Sequence, residues 1–215
     1  MNITDKKHSV LVWDFPVRVF HWLLVVSFAG AWITSESEAQ QMFHYAFGYS
    51  ACGLILFRII WGIVGTKYAR FTQFCKGPVE TIRHIKSLLS GSQHHGLGHN
   101  PAGALAMITL MVLVLLIGLT GYWSVKELFA DLANEAHEAI ASLAMGIVVV
   151  HVAAAIIMSF MQKENLIQAM VTGKKQGNQD QGIRFPMYFV GIGLIVAWIY
   201  TFYLVVRGSL PALTQ

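Results

Sequence analysis

His137-Glu-Ala-Ile-Ala-Ser-Leu-Ala-Met-Gly-Ile-Val-Val-Val-His151 is the stretch that decides how this chain is read. Two imidazoles bracket a run whose only charge is Glu138. On a helix, fourteen steps of ~1.5 Å set the rings ~21 Å apart, and fourteen turns of ~100° return them to within ~40° of one face. One helix thus presents two imidazoles at two depths on one side. Ionisable side chains in apolar, membrane-length segments are costly and need a partner or a task. Two more sit in such segments, His21 and His44. Four imidazoles at two depths point to two stacked metal centres.

The composition agrees with a membrane setting. The 215 residues are 55% hydrophobic and 12% charged, with mean hydropathy +0.56, whereas soluble domains carry about 25% charge. Apolar residues fall in five blocks, at 17–34, 43–64, 102–122, 139–161 and 185–206. Four approach the ~20 residues that cross a hydrocarbon core, and the aromatic flanks of the first extend it. The first block follows Lys6 and Lys7, but it lacks an Ala-x-Ala site and carries His21. It is therefore expected to be retained, not cleaved as a signal peptide. The fold expected is an all-α membrane protein: a four-helix transmembrane bundle holding the two metal centres over residues 1–172, a flexible linker over 173–184 and a C-terminal transmembrane helix and tail over 185–215. The linker reading rests on Gly173–Gly182, GKKQGNQDQG.

Charge sets the direction. Basic residues crowd the N-terminal arm, the connection after the second block and the connection after the fourth. Only Lys126 and Arg207 fall on the other side. The positive-inside rule places the N-terminus in the cytoplasm and the C-terminus outside. With Arg58 counted inside, two basic residues face six acidic ones outside and thirteen face five inside, adding to the net +4. An acidic outer face steers a basic soluble partner or simply solvates short loops. Basic residues bordering apolar blocks are the membrane pattern, so nucleic acid is not expected as a partner despite a pI of about 9.1. Cys52 and Cys75 form no Cys-x-x-Cys-His, which excludes the usual c-type haem attachment.

This topology pairs the histidines by depth. His21 matches His151 at the inner level, and His44 matches His137 at the outer level. Two opposed imidazoles suit the axial positions of haem b, one at each level, and leave no open iron position, which favours electron transfer. Facing helices of a bundle hold such cofactors. Gly48 and Gly146 offer close backbone approach to a macrocycle, with Gly30, Gly118 and Gly121 as further thin places; small residues also line ordinary helix contacts. Arg18, one turn before His21, and Arg58, fourteen residues after His44, are candidates for the inner propionates, against the alternative of snorkelling anchors. Lys126 is the weaker outer candidate. His8, His84, His94 and His95 read as surface residues, and His99, before Pro101, as either a quinone or propionate contact or a surface residue. A zinc site at His94, His95 and His99 lacks a nearby acidic or Cys ligand. Trp13, Trp22, Trp61 and Trp123 mark the interfacial belt.

The stretch Val12-Trp-Asp-Phe-Pro-Val-Arg-Val-Phe-His21-Trp22 resembles the first-helix motif of the bacterial cytochrome b561 and nickel–hydrogenase b-type cytochrome family. The resemblance continues through His44-x-x-x-Gly48, Leu56-Phe-Arg58-Ile-Ile-Trp61-Gly62, Gly98-His-Asn-Pro-Ala-Gly103, His137, His151 and Glu164-Asn165-Leu166, covering about residues 10–172. It implies a membrane di-haem cytochrome b of the respiratory chain, with His21, His44, His137 and His151 as iron ligands. Members of the family move electrons between the quinone pool and a partner, a hydrogenase or a c-type cytochrome, and one branch oxidises superoxide. The expected function is therefore electron transfer between quinone and a redox partner, as a carrier or a subunit of an oxidoreductase complex; the alternative is a superoxide:quinone oxidoreductase. A metal carrier using the histidines as ion ligands is a third reading. The fifth block departs from the four-helix pattern.

Overall fold

A computed structural model describes residues 8–73, 97–98 and 101–209, without the side chains of Pro101, Ala102 and Ala130. Lys6, Lys7, Cys75, Lys76, Arg83, His84, Lys86, His94, His95, His99 and Asn100 lie outside the described residues. Among the described residues six α-helices follow: α1 (Phe15–Ile33), α2 (Gln41–Val64), α3 (Pro101–Val125), α4 (Ala130–Gln162), α5 (Leu166–Thr172) and α6 (Tyr188–Val206). Five are long and apolar enough to cross a membrane, all but the seven-residue α5.

Local chemistry sets their ends. Asp14 caps α1, accepting from Val17 N at 2.8 Å, with Pro16 in the first turn, where its missing N–H costs nothing. Thr34 closes the helix by donating to Gly30 O at 2.7 Å. Asn165 caps α5 through Gln168 N, and Gly173 ends it at φ 80°, a left-handed conformation that glycine adopts without strain.

Two strands join the helices at one end of the bundle. β1 (His8–Leu11) pairs antiparallel with β2 (Lys174–Gly177), His8 against Gly177 and Leu11 against Lys174. We call this the sheet end, and the opposite end, where short connections join α1 to α2 and α3 to α4, the loop end. The flexible linker expected from Gly, Lys and Gln content is thus ordered in its first half. The cause is an available backbone edge: β1 takes up the β2 amides and carbonyls, and Val12 N and Trp13 N both donate to Gly173 O. Lys175 reaches Glu164 at 3.4 Å, Gln176 N donates to Glu164 Oε1, and Tyr68 Oη donates to Gln181 O.

Packing is uneven. α1, α2 and α6 form a three-helix group whose core contains Val19, Phe20, Leu54, Ile55 and Leu194, with Met111 and Val114 from α3. The last helix is part of this core: Trp198 Nε1 donates to Ser27 Oγ at 2.9 Å, and Phe202 packs on Phe47. α3 and α4 form a second group, packed along each other. α4 makes no comparable seam with α1 or α2, so the two groups face each other across a thinner contact. Val10, Val12, Trp13, Val17, Trp61, Ala69 and Ala169 close a second cluster beneath the sheet.

Candidate functional site

The four membrane histidines face this thinner contact. At the loop end, His44 on α2 and His137 on α4 stand with ring centroids 6.1 Å apart. Imidazole nitrogens bind a metal at about 2 Å, which sets two trans rings about 6 Å apart from centre to centre. Both rings are held from behind. His44 Nδ1 lies 2.9 Å from Ala31 O and His137 Nδ1 3.0 Å from Ile117 O. A carbonyl only accepts, so each Nδ1 carries the proton and each Nε2 keeps its lone pair for a metal.

The backbone makes these contacts possible. Ala31 O lies in the last turn of α1, where carbonyls lose their helical partners. Gly121 lets His137 approach α3: a Cβ there would lie 3.0 Å from the ring Cε1 and 3.1 Å from Nδ1. Gly30 and Gly118 instead admit Phe47 and Cys52, as ordinary helix contacts.

At the sheet end, α1 carries His21 and α4 carries His151. His21 Nδ1 is buried and has no hydrogen-bond partner among the described residues. Trp22 stands edge-on to His21 at 5.1 Å and donates to Met170 O. Arg18 Nη1 donates to Val171 O at 2.7 Å, so this guanidinium already ties α1 to the end of α5. Arg58 is fully buried, with Nη2 3.8 Å from Met107 Sδ and its guanidinium over the Phe71 ring at 4.9 Å.

Gly48 lies one turn beyond His44 on the same side of α2, with open space where a Cβ would stand. Gly146 also has open space, but nine residues from His137 turn it to the opposite side of α4. The histidine side there carries Ala144, which is fully buried.

Among the described residues, no three His, Cys, Asp or Glu side chains form a metal cluster. Two imidazoles per level do not complete a tetrahedral zinc shell. They do complete the shell of an iron whose porphyrin supplies four nitrogens. The donor set and the ring separation at the loop end fit haem.

Sequence reading missed the residue that frames the sheet end. Asp14 is almost fully buried, and besides capping α1 it accepts from Trp61 Nε1 at 3.0 Å and Thr66 Oγ1 at 2.6 Å. It pins the start of α1 to the end of α2. Its position two residues before Pro16 was the available signal.

Similar proteins carry related names. The Probable Ni/Fe-hydrogenase B-type cytochrome subunit of Bradyrhizobium diazoefficiens is 27% identical, over 78% of this chain and 86% of its own length. Its namesake in Azotobacter vinelandii is 28% identical over 54% of this chain, which spans 60% of that protein. The Probable Ni/Fe-hydrogenase 1 B-type cytochrome subunit of Escherichia coli K12 is 26% identical over 55% of this chain and 61% of its own length. No solved structure matches the chain. The family model described as prokaryotic cytochrome b561 matches residues 12–173, about three quarters of the sequence. Five membrane-length helices and that match agree: the chain belongs to the prokaryotic cytochrome b561 family, the multi-pass membrane b-type cytochromes that transfer electrons.

Proposed function

We propose that this cytochrome holds two haem b groups, one between His44 and His137 and one between His21 and His151, and links a lipid-soluble quinone to a redox partner protein. The observation that carries the reading is the loop-end pair: two imidazoles 6.1 Å apart, each with Nδ1 engaged by a carbonyl and Nε2 left for iron. Haem b held in this way supplies reversible one-electron transfer. The chain's own residues orient the axial nitrogens, exclude water and hold the propionates. Arg58 is the leading propionate partner, because a guanidinium buried at this depth is stabilised by an anion. Arg18 has Val171 O as its present partner and takes a lesser share. Gly48 gives the macrocycle room beside His44; Gly146, on the far side of α4, retains only a peripheral role.

The partner reading follows the names of the relatives, Ni/Fe-hydrogenase B-type cytochrome subunits: a hydrogenase is favoured, with a periplasmic c-type cytochrome as the second choice. The basic bias of the connections supports an inner membrane with the sheet end and N-terminus cytoplasmic and the C-terminus periplasmic. Residues 1–172 form the haem-holding unit, and α6 buttresses it. The superoxide alternative finds no support here: the loop end, with Glu36, Glu38, Glu127, Asp131, Glu135 and Glu138, would repel the anion.

Pyridine haemochrome analysis of the purified chain is expected to give two haem b per polypeptide. His137→Ala is expected to halve that count. A chain without b-type absorbance, or His137→Ala with unchanged haem content, would sink the reading.

A further inference from the structure

Two buried threonines stand behind the loop-end histidines in the same way, with one difference. Thr34 closes α1, and Thr120 lies on α3. Each hydroxyl bonds back into its own helix. Thr34 Oγ1 lies 2.7 Å from Gly30 O and 3.3 Å from Ala31 O. Thr120 Oγ1 lies 2.8 Å from Leu116 O and 3.1 Å from Ile117 O. In both cases the more distant carbonyl is the one that meets a histidine: Ala31 O meets His44 Nδ1, and Ile117 O meets His137 Nδ1. A hydroxyl has one proton. It goes to the nearer carbonyl, one turn back, as that of Ser159 goes to Ala155 O at 2.7 Å. The other carbonyl is left to accept from the imidazole.

The difference lies at His137. Thr120 Oγ1 is itself 3.4 Å from His137 Nδ1. Among the described residues, Thr34 makes no such contact with His44. With its proton on Leu116 O, the Thr120 oxygen turns a lone pair to Nδ1. The His137 N–H is therefore shared between Ile117 O and Thr120 Oγ1, a three-centre arrangement, whereas that of His44 has Ala31 O alone. The longer arm is the weaker one, but it lies in a buried place, where a hydrogen bond is electrostatically stronger than in water.

An acceptor behind an axial imidazole acts on the metal. It draws the Nδ1 proton outward and makes Nε2 the more basic ligand. A more basic ligand favours ferric over ferrous iron, and hydrogen bonding around the ligand is one of the levers by which a protein sets a haem potential. We propose that Thr120 is a positioning residue of the loop-end haem: its hydroxyl oxygen is the second acceptor for the His137 N–H, and it holds that haem's reduction potential down. The proposal rests on the haem assignment proposed above.

The test is a redox titration of the full, haem-loaded chain in lipid nanodiscs, followed by visible absorbance, with haem content recorded for every variant. The loop-end haem is the one that His44→Ala removes. Thr120→Val keeps the branched shape and removes the oxygen. It is expected to shift the loop-end equilibrium about threefold toward the reduced form, a rise of roughly 28 mV at ~59 mV per tenfold, and to leave the other haem unmoved. Thr120→Ala is expected to give the same rise and stands in where valine displaces the haem. Thr120→Ser, which retains the hydroxyl, is expected to keep the wild-type midpoint. Thr34→Val removes the matching back-bond from α1 and is expected to leave both midpoints unchanged. A loop-end midpoint that stays or falls in the valine and alanine variants, with both haems retained, overturns the proposal and leaves the haem assignment standing. An equal rise in Thr34→Val overturns it as well, because loosening of a helix would then account for the shift. A wild-type chain that carries no haem overturns the haem assignment and the proposal with it.

Discussion

The two histidine levels are built differently. At the loop end the ligands themselves are pinned: Ala31 O and Ile117 O hold the Nδ1 atoms of His44 and His137. At the sheet end His21 Nδ1 has no partner among the described residues, and the surroundings are pinned instead. Asp14 joins α1 to α2, Arg18 joins α1 to α5, and β1 pairs with β2. A ring whose backing is a carbonyl is preorganised before a metal arrives. A ring within a rigid frame depends on the frame. The loop-end site should therefore fail when a ligand contact is disturbed, and the sheet-end site when the frame is.

Asp14→Ala is the largest perturbation of the frame. It leaves Val17 N, Trp61 Nε1 and Thr66 Oγ1 without their acceptor, a loss of about 3 kcal/mol. A thermal scan is expected to show a clearly lower Tm, with the sheet-end haem lost first. If the loop-end haem leaves first, the contrast between the two ends is wrong. Gly121→Ala acts on the other side. The added methyl would press on the His137 ring, while helix propensity gains up to about 1 kcal/mol. The Tm is expected to hold, and the loop-end haem to bind about tenfold more weakly in a haem-transfer assay. An unchanged affinity would mean that the Ile117 contact does not position the ring. Glu164→Gln is the mildest. It removes the ion pair to the buried Lys175 but keeps an oxygen for Gln176 N and a neutral acceptor for the ammonium, so on the order of 1 kcal/mol is at stake. Slightly faster amide exchange in β2, with both haems intact, is expected; loss of the sheet-end haem would show that the frame is more brittle than its other ties imply.

The spans and the histidines were legible in the sequence; the contrast between the two ends was not, for a physical reason. The five spans and the four histidines are properties of side chains in long runs, which hydropathy and the 3.6-residue repeat expose directly. The anchors of His44 and His137 are backbone carbonyls, which every residue carries, so Ala31 and Ile117 bear no mark. His8–Leu11 and Lys174–Gly177 are four residues each, too short for a strand pattern, and their pairing joins parts of the chain more than 160 residues apart. The strand within residues 173–184 was hidden for that reason: a polar, glycine-containing run reads as a linker unless an edge is waiting for it. The role of the last helix stayed open because its composition says only that it crosses lipid. Its bond from Trp198 to Ser27 and its seat in the main core depend on partners far away in sequence. Gly146 illustrates the converse, since proximity in sequence to two histidines did not put it on their side of the helix.

The account turns on the pairing itself. Low-temperature electron paramagnetic resonance of the oxidised chain is expected to separate the two proposed haems, whose surroundings differ. Four single variants then assign them. His44→Ala and His137→Ala are expected to remove one and the same signal, and His21→Ala and His151→Ala the other. Loss of the same signal from His44→Ala and His21→Ala, or from His137→Ala and His151→Ala, would contradict the two-level arrangement.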